Sequence, residues 1–197
     1  MTKHLTNREK LAIAIEIKKR KDLKRYEESY QDFASEQIRI LPKDAGRGFI
    51  PLEFNTAQQI VNNAIEKQLK ETGKVRAIIL KARQMGLSTY ATGRVYWKSY
   101  LTPFNKSVVM AHDSATSDAL FSMSRNIIQN MRPEFTPILK KSNSKEIGFE
   151  HNDSGYRLYT AGSPEAGRGT TPTIAHLSEV AFWTHDAKIL AGLFQGI

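Results

Sequence analysis

Between residues 75 and 130 the hydrophobic period of the sequence changes repeatedly, and this alternation restricts the fold more than any other feature. An apolar run, Val75-Arg76-Ala77-Ile78-Ile79-Leu80, leads into a glycine-bearing loop and then into a helically spaced segment from Ser88 to about Leu101. Pro103 ends that helix, Ser107 to Ala111 is a second short apolar run, and Ser114 is placed to cap a helix carrying Ala119, Leu120, Met123, Ile127 and Ile128. Strand, helix, strand, helix predicts an α/β fold with a mainly parallel central sheet flanked by helices. Ligands of such folds sit at the carboxyl ends of the strands.

The loop in this unit is Lys81-Ala82-Arg83-Gln84-Met85-Gly86-Leu87-Ser88-Thr89. It reads as a phosphate-binding loop with two departures. The usual pattern, G-x-x-x-x-G-K-[ST] between a strand and a helix, presents backbone N–H groups and the helix N-terminus to phosphates, with the hydroxyl on Mg2+. Gly86 and Ser88 fit, whereas Lys81 stands for the first glycine and Leu87 for the lysine. Leucine cannot neutralise a phosphate, so the loop's cation has to come from elsewhere, and Arg83 lies inside it. Such a loop also needs an acid at the end of a neighbouring strand. Thr173-Ile174-Ala175-His176-Leu177 is an apolar strand closed by Ser178-Glu179. Glu179 stands where the water-orienting carboxylate belongs, and Ser178 stands where an Asp is usual.

The rest of the chain supplies context. Residues 1 to about 40 are rich in charge, with Leu11, Ala12, Ile15 and Leu23 loosely spaced for a helical arm; the Lys18-Lys19-Arg20-Lys21 run reads as a solvated face, with a phosphate backbone as the alternative. Leu41 to Gly48 is a Pro/Gly linker. Thr56-Ala57-Gln58-Gln59 has a capping-box pattern and opens a helix through Ile60, Val61, Ala64, Ile65 and Leu69, stopped at Thr72-Gly73. Ile147 to Glu150 and Tyr156 to Thr160 flank a turn and predict a β-hairpin, and Gly162 to Pro172 is a loop. Asp113-Ser114 reads as a helix cap, with an approach of His112-Asp113 to the nucleotide or to a neighbouring subunit as the alternative. His151, His176 and His185 lack metal-ligand spacing. Tyr90, Tyr96, Trp97 and Tyr100 are expected to pack against the sheet.

Twenty-nine Lys and Arg against 20 Asp and Glu leave a charge of +9, which favours a polyanionic partner. No apolar run approaches the roughly 20 residues that span a bilayer. Without cysteine the chain forms no disulfide and no thiolate metal site. Its start has no hydrophobic signal core, so a cytoplasmic location is expected.

Three segments together carry a family resemblance: Lys81 to Thr89, Arg168-Gly169, and His176-Leu177-Ser178-Glu179-Val180-Ala181-Phe182-Trp183. The chain resembles the N-terminal ATPase domain of a tailed-bacteriophage terminase large subunit, over about residues 50 to 185. The resemblance implies a P-loop NTPase of the ASCE type; the residue pattern places the helical N-terminal arm and linker at 1–48, ahead of the ATPase domain (49–197) with its β-hairpin insertion. It implies ATP and Mg2+ as cofactors, with the nucleotide held by Lys81, Arg83, Gln84, Met85, Gly86, Leu87, Ser88 and Thr89. Arg83 is the shifted cation, and Gln58 reads adenine, with Gln59 as its rival. Ser88, Ser178 and Glu179 serve the metal, Glu179 is the catalytic carboxylate, and Arg168 is presented to a neighbour's nucleotide.

The implied partners are double-stranded DNA through its backbone, the portal protein, the small terminase subunit and further copies in a ring, in the cytoplasm of an infected bacterial host. The family continues into a coupling strand and a ribonuclease H-like nuclease that these 197 residues do not contain, so the sequence reads as an N-terminal piece without nuclease activity and with an open sheet edge. Two alternatives stand beside this reading: a nucleotide- or DNA-binding module without turnover, and a helicase-like ATPase.

Overall fold

The computed structural model describes residues 6–42, 46, 48–162, 171–184 and 186–194. Helix α1 (Asn7–Glu28) starts at a capping box in which the Thr6 and Glu9 side chains each meet the other's backbone N–H. Helix α2 (Tyr30–Gln37) follows after Ser29, and the short strands β1 (Arg39–Ile40) and β2 (Ile50–Pro51) pair antiparallel. Helices α3 (Thr56–Thr72) and α4 (Leu87–Leu101) precede strand β3 (Lys106–Ala111) and helix α5 (Ser114–Asn130). A 3-10 turn at Pro133–Phe135 leads to β4 (Leu139–Ser142), β5 (Glu146–Phe149) and β6 (Gly155–Thr160). Strand β7 (Ile174–Leu177), a 3-10 turn at Val180–Phe182 and helix α6 (Asp186–Phe194) complete the order.

Five strands form one sheet in the order β4-β5-β6-β3-β7. β3 pairs parallel with β6 and with β7, while β4-β5 and β5-β6 are antiparallel. The protein is thus α/β with a mixed sheet flanked by helices, not the mainly parallel one expected. The reason lies in the hairpin. Its second strand, β6, lies beside β3 in parallel along its whole length, from Lys106 opposite Gly155 to Ala111 opposite Thr160. The expected hairpin insertion is therefore part of the central sheet, and it brings antiparallel pairing with it.

β3 is buried on both faces, which explains its near-continuous apolar sequence. Val109 and Ala111 face the larger core, under the helices; Val108 and Met110 face a smaller one with Trp183, Ile189 and Leu193. The larger core includes Tyr26, Tyr30, Phe33, Ala34 and Ile38 from the N-terminal helical region. Tyr90, Tyr96, Trp97 and Tyr100 pack as expected, though much of their contact is with α2 as well as with the sheet. Two of the buried polar groups here find backbone partners: Tyr30 Oη donates to the Tyr90 carbonyl at 2.8 Å and Trp97 Nε1 to that of Tyr26 at 2.7 Å. Gly93 permits the crossing, because a Cβ there would stand 2.5 Å from Tyr30 Oη and 2.8 Å from Ile38 Cδ1.

The strand expected over 75–80 does not form. These residues pair with no described strand, and Ile78 and Leu80 are fully exposed. Apolar side chains alone do not hold a strand; its N–H and C=O groups need a ladder. Here one side chain supplies part of it. Gln68, near the end of α3, accepts from the Arg76 N–H through Oε1 (2.9 Å) and donates to the Arg76 carbonyl through Nε2 (3.3 Å). Among the described residues β7 pairs only with β3, so its outer edge is open. No helix among them is long and apolar enough to cross a membrane.

Candidate functional site

The loop reaches α4 through two residues in the left-handed region, Gln84 (φ 66) and Gly86 (φ 70). Gly86 is required for more than its φ, since a Cβ there would stand 2.8 Å from Gln58 Nε2. It is also the N-cap of α4, and no side chain among the described residues caps the helix. The Tyr90 N–H bonds back to the Gly86 carbonyl, which leaves the N–H groups of Leu87, Ser88 and Thr89 without described partners. Three such N–H groups, with the positive end of a 15-residue helix behind them, can donate to an anion. Lys81, Arg83 and Gln84 are exposed, Ser88 and Thr89 are half-buried, and Leu87 is buried as a packing residue. The Arg83 and Lys81 side chains make no hydrogen bond or ion pair with any described residue.

The N-terminus of α3 grips this loop. Its cap is Asn55 and its box partner is Gln58, one residue earlier than the Thr56/Gln59 pair that the sequence pattern suggested. The shift frees both side chains to serve two elements at once. Gln58 Oε1 accepts from the Asn55 N–H at 3.0 Å while its Nε2 donates to the Gly86 carbonyl at 2.8 Å. Asn55 Oδ1 accepts from the Gln58 N–H, and its Nδ2 donates to the Met85 carbonyl at 3.2 Å. Gln58 is thus a buried clamp with both ends of its amide engaged, whereas Gln59 faces Gln31 and Asn63. Beside the clamp lies an open recess of about 400 Å³ lined by Asn55, Thr56, Ala57, Ile60 and Met85. It is shallow and open to solvent, unlike an enclosed cleft that buries most of a small ligand.

Connectivity brings the acid to the same end of the fold. α4 returns to β3 through Thr102–Asn105, where Asn152 Nδ2 donates to the Ser99 and Tyr100 carbonyls. A helix of 15 residues is about 22 Å long and a strand of 6 about 20 Å. After so short a turn, the start of α4 lies level with the carboxyl end of β3. β7 runs parallel to β3, and the Ser178 N–H donates to the Met110 carbonyl at 2.8 Å, so Ser178 and Glu179 leave the sheet at that end too.

Glu179 itself is in the left-handed region, at φ 57 and ψ 41. Its Oε2 lies 2.7 Å from His112 Nδ1, close enough to pair but out of line for a hydrogen bond. His112 Nε2 lies 2.7 Å from Asp113 Oδ2, and Asp113 Oδ1 caps α5 by accepting from the Thr116 N–H at 2.7 Å. That backbone N–H holds the Asp113 carboxyl below the usual carboxylate range. Ser178 is buried; Trp183 Nε1 donates to its carbonyl. Arg168 and His185 lie outside the described residues.

No protein-family model matches this chain, and no curated protein matches it.

The site is therefore defined by its own geometry. Among the described residues no group of three or more His, Asp or Glu side chains is arranged to hold a metal. His151 Nε2 meets the Tyr100 carbonyl at 2.8 Å, and burial pushes the His176 imidazole down to about 4. Both are structural. Sequence reasoning missed Asn55 as a loop anchor and set His112 aside. Asn55 left a signal, as a capping residue three positions before a Gln; His112 did too, as a polar residue ending a buried strand.

Proposed function

We propose that this chain is the ATP-binding and hydrolysing domain of a phage DNA-packaging terminase, a P-loop ATPase that drives double-stranded DNA into a procapsid. One observation carries the reading. An uncapped helix N-terminus, entered through left-handed Gly86, lies at the same end of the parallel strands as Glu179. The N–H groups of Leu87 to Thr89 bind the β/γ-phosphates, Arg83 supplies the cation that Leu87 does not, and the recess beside Met85 takes the base. Mg2+, when bound through Ser88, neutralises charge on the phosphate oxygens.

Glu179 orients a water whose oxygen attacks the γ-phosphorus. The bond to the bridging oxygen breaks, its electron pair leaves with ADP, and the water's proton passes to Glu179 and then to solvent. Portal protein, small terminase subunit and neighbouring copies are the expected partners, with Arg168 offered to a neighbour's nucleotide. DNA contact is through its phosphates, as suits a chain of charge +9.

The test is Mg2+-dependent ATP hydrolysis across a protein concentration series, with Arg83→Ala and Glu179→Ala alongside. Turnover lost in both variants is expected, rising faster than linearly with protein if Arg168 acts in trans. Equal turnover in Glu179→Ala would overturn the assignment. A second reading, a nucleotide-binding module without turnover, is favoured by residues 75–80 standing outside the sheet, because the loop then lacks the strand that usually anchors it. Binding of ATP with no hydrolysis in any form would support it.

A further inference from the structure

The geometry points to His112 as the residue that positions Glu179. The catalytic consequence rests on the hydrolytic reading above; the contact itself does not. A left-handed backbone at a non-glycine residue costs about 1–2 kcal/mol, so something has to maintain it. Both sides of Glu179 are tied down. The Ser178 N–H is held by the Met110 carbonyl before it, and after it the Phe182 N–H donates to the Glu179 carbonyl at 3.0 Å. With the backbone fixed in this turn, the carboxylate lies across the end of β3, at His112.

His112 is fixed in its turn from three directions. β3 ends beside it, Asp113 meets its Nε2 while bound to the start of α5, and the Phe182 ring lies 5.7 Å from the imidazole at an interplanar angle of 45°. The three side chains therefore form a chain from the cap of α5 to the Glu179 carboxylate. Asp113 uses one oxygen on α5 and the other on the imidazole. His112 uses one nitrogen on Asp113 and leaves Nδ1 for Glu179. That last contact, at 2.7 Å, is an ion-pair distance without hydrogen-bond alignment. A general base has to sit within hydrogen-bond reach of the water it serves, and an imidazole that sets its resting place sets that reach.

A purely structural ion pair would make a different prediction from a positioning contact. Loss of the pair would then lower stability and leave turnover per folded molecule unchanged. The positioning role predicts that His112→Ala lowers kcat about 10- to 100-fold, the scale expected for a misplaced group near the chemistry. ATP affinity, read from a fluorescent ATP analogue, should stay within about 3-fold, since the anion site on α4 is untouched. His112→Asn places an amide N–H near the position of Nδ1 and should recover much of the loss. His112→Gln, whose amide lies nearer Nε2, should not.

The readout that needs no activity is NMR of the 15N-labelled imidazoles. Glu179→Gln should move the His112 Nδ1 resonance and leave those of His151 and His176 in place. An unmoved His112 resonance overturns the contact, and an unchanged kcat in His112→Ala overturns the role. Should the wild-type chain fail to hydrolyse ATP, the hydrolytic reading and the catalytic role fall together, and a moved resonance would still establish His112 as what holds Glu179.

Discussion

Replacing Gly86 with alanine tests the loop geometry at its tightest point. Two effects add. Alanine at φ 70 carries the left-handed cost of about 1–2 kcal/mol. Its Cβ would also lie 2.8 Å from Gln58 Nε2, so the Gln58 amide has to withdraw from the Gly86 carbonyl, and a buried polar group that loses its partner costs about 1–3 kcal/mol. Together these predict a loss of about 2–5 kcal/mol. For a domain of this size each kcal/mol lowers Tm by about 2–4 °C, which gives a fall of roughly 4–20 °C in a thermal melt. Gly86→Asn, which tolerates the left-handed region, should lose less. Gln58→Ala added to Gly86→Ala should relieve the contact and make the pair less than additive. A Gly86→Ala chain that melts within about 1 °C of the parent would refute the whole construction of the loop.

Gly93→Ala should destabilise by about 1–3 kcal/mol despite alanine's better helix propensity, and Tyr30→Phe in the same chain should recover part of it by removing the crowded hydroxyl; equal melting of all three would show that α2 and α4 do not cross so closely. Ile78→Lys with Leu80→Lys should change stability by less than about 0.5 kcal/mol, as suits exposed positions, whereas loss of cooperative unfolding in urea would place 75–80 inside a sheet after all. Stability should fall as pH drops from about 6.5 to about 4, because over that range the unfolded chain binds a proton at His176 that the folded state refuses. The fall attributable to this group is on the order of 3 kcal/mol, and His176→Asn should flatten it in pH-dependent denaturation.

The elements with strong local signals were legible in the sequence. α3, α4, α5, β3 and the hairpin all stand where period, caps and breakers placed them, to within a residue or two. The failures have specific causes. Val75 to Leu80 has the composition of a buried strand, but composition says nothing of whether a ladder is available, and here the Arg76 backbone is met by Gln68 instead. The hairpin was visible, its place in the sheet was not, because the parallel pairing of β6 with β3 is a contact between residues about fifty apart. At the site, Gly86, Ser88 and Glu179 were legible as types in a pattern. The double duty of Gln58 and the approach of His112 to Glu179 depend on side chains meeting across elements, which no local pattern records.

The N-terminal helix has a mechanical meaning as well. α1 is a rod of 22 residues whose first turns carry Leu11, Ile13, Ile15 and Ile17 in the open, and whose first buried side chain is Tyr26. The Tyr26 carbonyl is the point that Trp97 of α4 holds. Further out, α1 is tied by Asp22 to Arg132 and by Lys19 over the Phe135 ring, so a projecting length of about 18 Å, from Asn7 to Lys19, carries those four apolar side chains clear of the core.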